Sequence, residues 1–442
     1  MPETGERPFG GASRSFLVYG LALLIVGSLI APVAISTGTQ TSLNFTVLAL
    51  PVLTALWTLK AAYRRDWRVL SLRPVPPLLA LVVAALLSFA VVNQPWVYIA
   101  PLAPLRAQLG GLSVFLLSAA LFVIAADELR DLRSLQVLVG LFLLFGAAYI
   151  AERLAPPVGH WLPPFQKGSD GSLFWTWLVA LAFAQAAFNR HLNVFLRLAL
   201  GALVLATLYT AWTQGRDWVS GWAPPLVAMA TILWLGAPRL GGAVTAAACG
   251  FVALHAPRLF ALVYSADNQY SLTTRLAAWR ILAKIVRASP AMGFGPANYY
   301  HVTPLFPILG WYVHFSSHNT YVDLIAQTGV IGFGCFLWFA WEVARAGWDL
   351  RQQVPVGFAH AYVLGALGGL AGTLAAGMLC DWVLPFVYNI TLNGLRASIL
   401  GWLFLGGLLA LKRTELRPAS VRRGRSPLAR SGLPVPDARR GR

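Results

Sequence analysis

Three side chains stand out by type and setting: Arg216, Arg275 and His318. Two guanidinium groups and an imidazole could between them hold an anion such as phosphate and accept a proton. Arg275 lies in 272–288, which reads as an amphipathic helix with Ser271 or Thr273 as N-cap and Pro290 beyond its end. At about 100° per residue, Leu272, Leu276, Trp279, Leu282 and Val286 share one face. Arg280, Lys284 and Arg287 form a second stripe suited to lipid headgroups, whereas Arg275 falls in the middle of the apolar face. A guanidinium aimed at packed apolar surface is costly unless it meets an anion, and its planar fork can hold a phosphate through two parallel hydrogen bonds. Arg216 sits in the turn Thr213-Gln214-Gly215-Arg216-Asp217-Trp218; the other reading is a boundary residue paired with Asp217. His318 stands in Ser316-Ser317-His318-Asn319, where a helix begins. The positive end of that helix disfavours imidazolium and leaves a neutral ring able to take a proton, while the plainer reading is a cap or surface histidine. His301 and His314 are near in sequence, but with no H-x-x-x-H pair and no D-x-D, no metal is expected. Gly293-Phe294-Gly295, with Pro296 after it and no strand before it, reads as a turn rather than a nucleotide loop.

The elements that must position these residues are membrane spans. Of 442 residues, 57% are hydrophobic and 11% charged, with a mean hydropathy of +0.65; soluble proteins carry about 25% charge. Twelve apolar runs lie near 16–35, 42–59, 75–93, 107–126, 134–151, 171–189, 194–213, 217–236, 240–264, 319–343, 356–380 and 385–411, each about the length a bilayer crossing needs. The first is long for a cleaved secretory signal and reads as a retained anchor. Pro224-Pro225 predicts a kink or break in the eighth. Gly365, Gly368, Gly369, Gly372 and Gly377 predict close helix packing around the eleventh. Cys249, Cys335 and Cys380 are far apart and read as small hydrophobes.

The net charge of +18 reflects membrane topology rather than nucleic-acid binding. With the N-terminus cytoplasmic, 24 of the 34 Lys and Arg fall in cytoplasmic segments, ten of them in 412–442, which places both ends inside. The expected division is a cytoplasmic N-terminus (1–14), spans 1–9 (15–264), a periplasmic catalytic loop with short amphipathic helices (265–318), spans 10–12 (319–411) and a basic disordered tail (412–442). The spans hold almost no ionisable residues, which weighs against a secondary transporter. A loop as long as 265–318 in a compact membrane protein is usually functional.

Arg275-x-x-x-Trp279, Gly293-x-Gly295 with Asn298-Tyr299, His318-Asn319-x-Tyr321 and Gly329-x-x-Gly332, in that order, resemble the bacterial O-antigen ligase and polymerase superfamily. Arg216 is similar to that family's other arginine, in a short outer turn before the long loop. The sequence departs from the family in Gln214-Gly215-Arg216-Asp217, where many ligases carry Ser-Arg-Gly, and in a shorter long loop. The resemblance implies an all-α, GT-C-like polytopic bundle in the bacterial inner membrane, with its active site facing the periplasm. It implies transfer of a glycan from undecaprenyl diphosphate to a lipid A-core-like, glycolipid or glycan acceptor, with inversion and with no cofactor or metal. In that reading Arg216 and Arg275 stabilise the diphosphate and His318 is the general base. Arg280, Tyr299, Tyr300, Asn319 and Asp381 are further candidates for orienting sugar or phosphate, and the polyprenyl chain needs a lipid-facing groove. Ligase is the leading expectation. A polymerase, a protein O-glycosylating enzyme and a polysaccharide flippase or exporter are the alternatives.

Overall fold

A computed structural model describes residues 15–36, 38, 42–94, 100–155, 157, 164–215, 218–263 and 266–415. The elements, in chain order, are α1 (Phe16–Ile30), the hairpin β1 (Ala34–Ser36) and β2 (Ser42–Asn44), α2 (Phe45–Arg64), α3 (Val75–Val92), α4 (Leu105–Glu128), α5 (Leu132–Leu154), α6 (Ser172–Phe188), α7 (Val194–Gln214) and α8 (Val219–Gly236). There follow α9 (Pro238–Val263), α10 (Ala266–Val286), the single turn α11 (Tyr299–Val302), α12 (Thr320–Leu350), α13 (Phe358–Leu379) and α14 (Leu395–Glu415). Every one of the twelve apolar runs contains a helix. Ten helices among the described residues are long and apolar enough to cross a membrane, and α1 and α6 are shorter apolar helices. The chain is therefore a polytopic helical membrane protein. The ends of the first and second runs depart from helix, pairing as β1 and β2 in antiparallel register with Ile35 opposite Leu43.

The core is built around α14, whose hydrophobic stretch is fully buried against α4, α6, α12 and α13. Its first turn carries Arg396, also buried, which donates to the carbonyls of Ser28, Ala31 and Val33 at 3.0–3.2 Å. These are acceptors that the end of α1 would otherwise leave unpaired. At the glycine ridge of α13, a Cβ on Gly368 would meet Ala228 O at 2.7 Å and one on Gly372 would meet Pro224 O at 2.8 Å, so α8 packs backbone to backbone.

The proline pair does not break the eighth span, because α8 runs through Pro224 and Pro225. The carbonyl of Ser220, which Pro224 cannot satisfy, accepts from the Ser172 hydroxyl instead.

The charged groups at one end are paired. Lys60 meets Glu128 at 2.6 Å, Asp127 meets Arg130 at 2.8 Å and Arg413 at 2.9 Å, and Lys412 meets Asp349 at 3.4 Å. Lys60 also donates to Ser15 Oγ at 2.8 Å. The first and last described helices thus begin and end on the same side of the bundle. The expected segments 1–14 and 416–442 lie outside the described residues.

Candidate active site

At the opposite end, α10 leads into a folded segment that returns to α12. Its helix starts at Ala266 rather than at residue 272, and neither Ser271 nor Thr273 caps it. No Gly or Pro lies between 266 and 286 to stop the helix extending backward. Its packed face is Ala278, Leu282 and Ile285, with Arg275 and Trp279 half-buried on the same side; Leu272 and Leu276 are exposed, contrary to the expected face. Arg275 is therefore on the inward face, as its spacing predicts, and Arg280, Lys284 and Arg287 are exposed on the other.

The segment after α10 is fastened by a break in α12. Gly329 stands at φ 66° inside that helix, which frees carbonyls of the preceding turn. Phe294 N–H donates to Ala326 O at 2.8 Å and Gly295 N–H to Gln327 O at 3.0 Å, while Val330 N–H donates back to Pro290 O at 2.9 Å. Gly293-Phe294-Gly295 forms the expected turn, with Gly293 at φ 68° and Gly295 at φ 77°, and is docked on the broken helix. Ser88 Oγ of α3 reaches both Met292 O and Gln327 O.

His318 precedes α12 in a left-handed conformation, φ 50°, uncommon for a residue with a side chain. Its neighbours hold it there. Asn319 caps α12, accepting from Tyr321 and Val322 N–H, and donates to Met378 O at 3.1 Å. Ser317 Oγ bonds Asp323 Oδ1 at 2.7 Å. Tyr299, fully buried and stacked on Phe386 at 4.7 Å, donates to the same carboxylate. Clamped on both sides, the chain turns the His318 ring outward.

The ring enters a cavity of 270 Å³ with Arg275 and Thr274 of α10, Tyr300 of α11, and His314 and Tyr388 on its walls. Arg275 Nη1 donates to Leu379 O at 3.1 Å, which fixes the guanidinium beside the ring. Although His318 is exposed to the cavity, the surrounding protein and the Arg275 charge both lower its pKa below the ordinary histidine value, so the neutral ring is favoured at neutral pH. Asn389 Nδ2 lies 2.7 Å from Asp381 Oδ1 and 3.0 Å from His318 Nδ1, so one amide bridges carboxylate and imidazole. Asp381 is fully buried, accepts from Phe386 N–H at 3.3 Å, and has its pKa pushed up to about 6, chiefly by burial.

Of the expected residues, Arg275, His318 and Tyr300 therefore share one cavity. Asn319, Asp381 and Tyr299 stand behind it as supports, and Arg280 is on the outer stripe. Arg216 and Asp217 lie outside the described residues. Four residues after Arg216, Ser220 neighbours Cys380, which precedes Asp381. Asn389 and Tyr388 were missed because they fall inside the apolar run expected at 385–411, whereas α14 begins only at Leu395 and 385–391 is irregular. Among the described residues no three of His, Cys, Asp and Glu gather as a metal site. An apolar groove of 770 Å³ runs between α2, α3 and α4, but it lies beside Trp57, whose indole bonds Asp127 at the far end. It is not a continuation of the cavity.

No curated protein matches the chain. The family model described as O-antigen ligase matches residues 197–337, about a third of the chain, from α7 into α12, including Arg216, Arg275, His318 and Asn319. Members of that family are glycosyltransferase-like enzymes, ligases and polymerases. Over residues 197–337 this multi-pass membrane protein is thus similar to the O-antigen ligase family, which supports the O-antigen ligase/polymerase superfamily reading.

Proposed function

We propose that the chain is a ligase transferring a preassembled glycan from undecaprenyl diphosphate to a hydroxyl of a lipid or glycolipid acceptor, at the periplasmic face of the inner membrane. The observation that carries this reading is the meeting of the Arg275 guanidinium and a neutral His318 in one cavity. In the reaction the C1–O bond to the diphosphate breaks and its electron pair goes to the leaving oxygen. Arg275, with Arg216 as the expected second cation, stabilises the charge that builds there. The acceptor oxygen bonds to C1 from the opposite side, inverting the anomeric centre, and its proton goes to His318.

The proton goes to the ring nitrogen without hydrogen. With Asn389 donating to His318 Nδ1, that nitrogen is the one the amide occupies. Turning the amide makes its Oδ1 an acceptor for Nδ1–H and frees Nε2 for the cavity. Protonation of Asp381, which then donates to the same oxygen, permits that turn. Arginine supplies the positive charge in this scheme, so no metal has a step to perform.

The test is a deletion strain complemented with wild type or His318→Ala, with lipid-linked and mature surface glycan compared by gel and mass spectrometry. The proposal expects full-length glycan stranded on its carrier at normal protein level, with transfer down about 10²- to 10⁴-fold, the usual contribution of a general base. Stranded single repeats would make the enzyme a polymerase. Unchanged pools would remove His318 as the base.

A further inference from the structure

From Arg287 to Asp323 the chain contains no Asp, Glu, Lys or Arg between those two residues. A connection of that length in water ordinarily carries charge, and its most protruding part here is also its most apolar. Ile308 and Trp311 exchange backbone hydrogen bonds at 2.9 Å each way, closing a two-residue turn with Leu309 at φ 48° and Gly310 at φ 88°. That geometry favours Asn, Asp or Gly at both central positions, and a bulky leucine there costs conformational energy. The result is a tip with Trp311 72%, Tyr312 68% and Leu305 52% exposed, and with Leu309 and Val313 also outward.

We infer that this tip, residues 305–313, inserts into the bilayer interface at the site's end of the bundle and holds the mouth of the Arg275–His318 cavity against the membrane. The inference needs only that the chain spans a membrane, and does not depend on the chemistry proposed above. Three observations favour lipid over a protein partner. Tryptophan and tyrosine with aliphatic neighbours and no charge match the headgroup boundary, where amphipathic rings settle. The bundle itself exposes large apolar side chains on its flanks, as with Leu254 at 82% on α9, so lipid is the solvent this chain already presents such groups to. Ile308, the first residue of the turn, is buried and forms part of the cavity wall, so the depth of the tip fixes the depth of the mouth. A cavity held there opens to molecules lying in the leaflet, reached sideways rather than from bulk water.

The test uses the full chain in liposomes of phosphatidylethanolamine and phosphatidylglycerol. Tyr312→Cys, with Cys249 and Cys335 replaced by alanine and the buried Cys380 left in place, is labelled with an environment-sensitive fluorophore. Val313→Cys serves as a second position if Tyr312→Cys does not fold. The expected result is blue-shifted emission, quenched several-fold more by headgroup-level nitroxide lipids than by aqueous iodide. Emission and iodide quenching like those of a label in water would overturn the inference. So would protection from both quenchers with self-quenching that rises with protein density, because that would mean a second copy covers the tip.

Discussion

The properties of the His318 ring come from residues on three segments: Arg275 on α10, Asn389 and Asp381 beyond α13, and the Ser317 and Asn319 clamp around it. Because burial and the Arg275 charge hold its pKa down, the base is neutral at pH 7 and transfer should fall as pH drops through that lowered value, and fall again as pH rises past about 6, where Asp381 loses the proton that the amide turn needs. Arg275→Gln removes one of those causes, so the acid limb of its residual activity should move to higher pH, as a pH–rate profile would show; an unmoved limb would separate the two residues. Arg275→Lys should lose far more transfer than Arg280→Lys, since a point charge cannot replace a fork held by Leu379 O whereas residue 280 faces outward. Equal losses would sink the inward-face argument. Residue type and helical spacing made Arg275 and His318 legible in the sequence. Asn389 was not, because a plain amide 71 residues from His318 reaches it only through the fold. Tyr299 was read as a substrate contact because a tyrosine beside a loop motif gives no sign of whether it will be buried.

Among the elements, α12 shows how a helix and a connection can complete each other. Gly329 bends the helix so that 290–295 can dock, and a Cβ there would lie 2.0 Å from Ala291 O at a backbone angle that side chains resist. Gly329→Ala should cost about 3 kcal/mol or more, from overpacking and the left-handed conformation together. Gly334→Ala, with nothing within 4 Å of the new methyl, should cost almost nothing. Thermal unfolding followed by gel filtration would compare them, and equal melting points would refute the docking role. The sequence placed α12 and its start correctly, since Asn319 and the apolar run are local signals. It did not reveal the break, because a glycine within an apolar helix looks the same whether it packs or bends.

For the whole molecule, the pairing of Lys60, Asp127, Glu128, Asp349 and Arg413 at one end gathers segments rich in Lys and Arg away from the cavity. The positive-inside rule predicts that end to be the cytoplasmic one. A cysteine at Arg68 or Arg351 should therefore resist a membrane-impermeant thiol reagent in intact cells, and one at Arg287 should react; the reverse pattern would invert the topology. EDTA should leave transfer unchanged, and inhibition relieved by a divalent ion would overturn the arginine-based scheme. The twelve runs were legible because lipid demands long apolar segments wherever they pack. Which helix takes the centre was not, since hydropathy does not distinguish lipid from protein as a neighbour. That central place belongs to α14, made after every other described helix. Until it is made, α4 and α6 lack the helix on which they pack most centrally and the carbonyls at the end of α1 have no arginine. A chain stopped before Leu395 would lack both the buried surface that α4, α6, α12 and α13 pack against and the guanidinium that satisfies the carbonyls beyond Gly27.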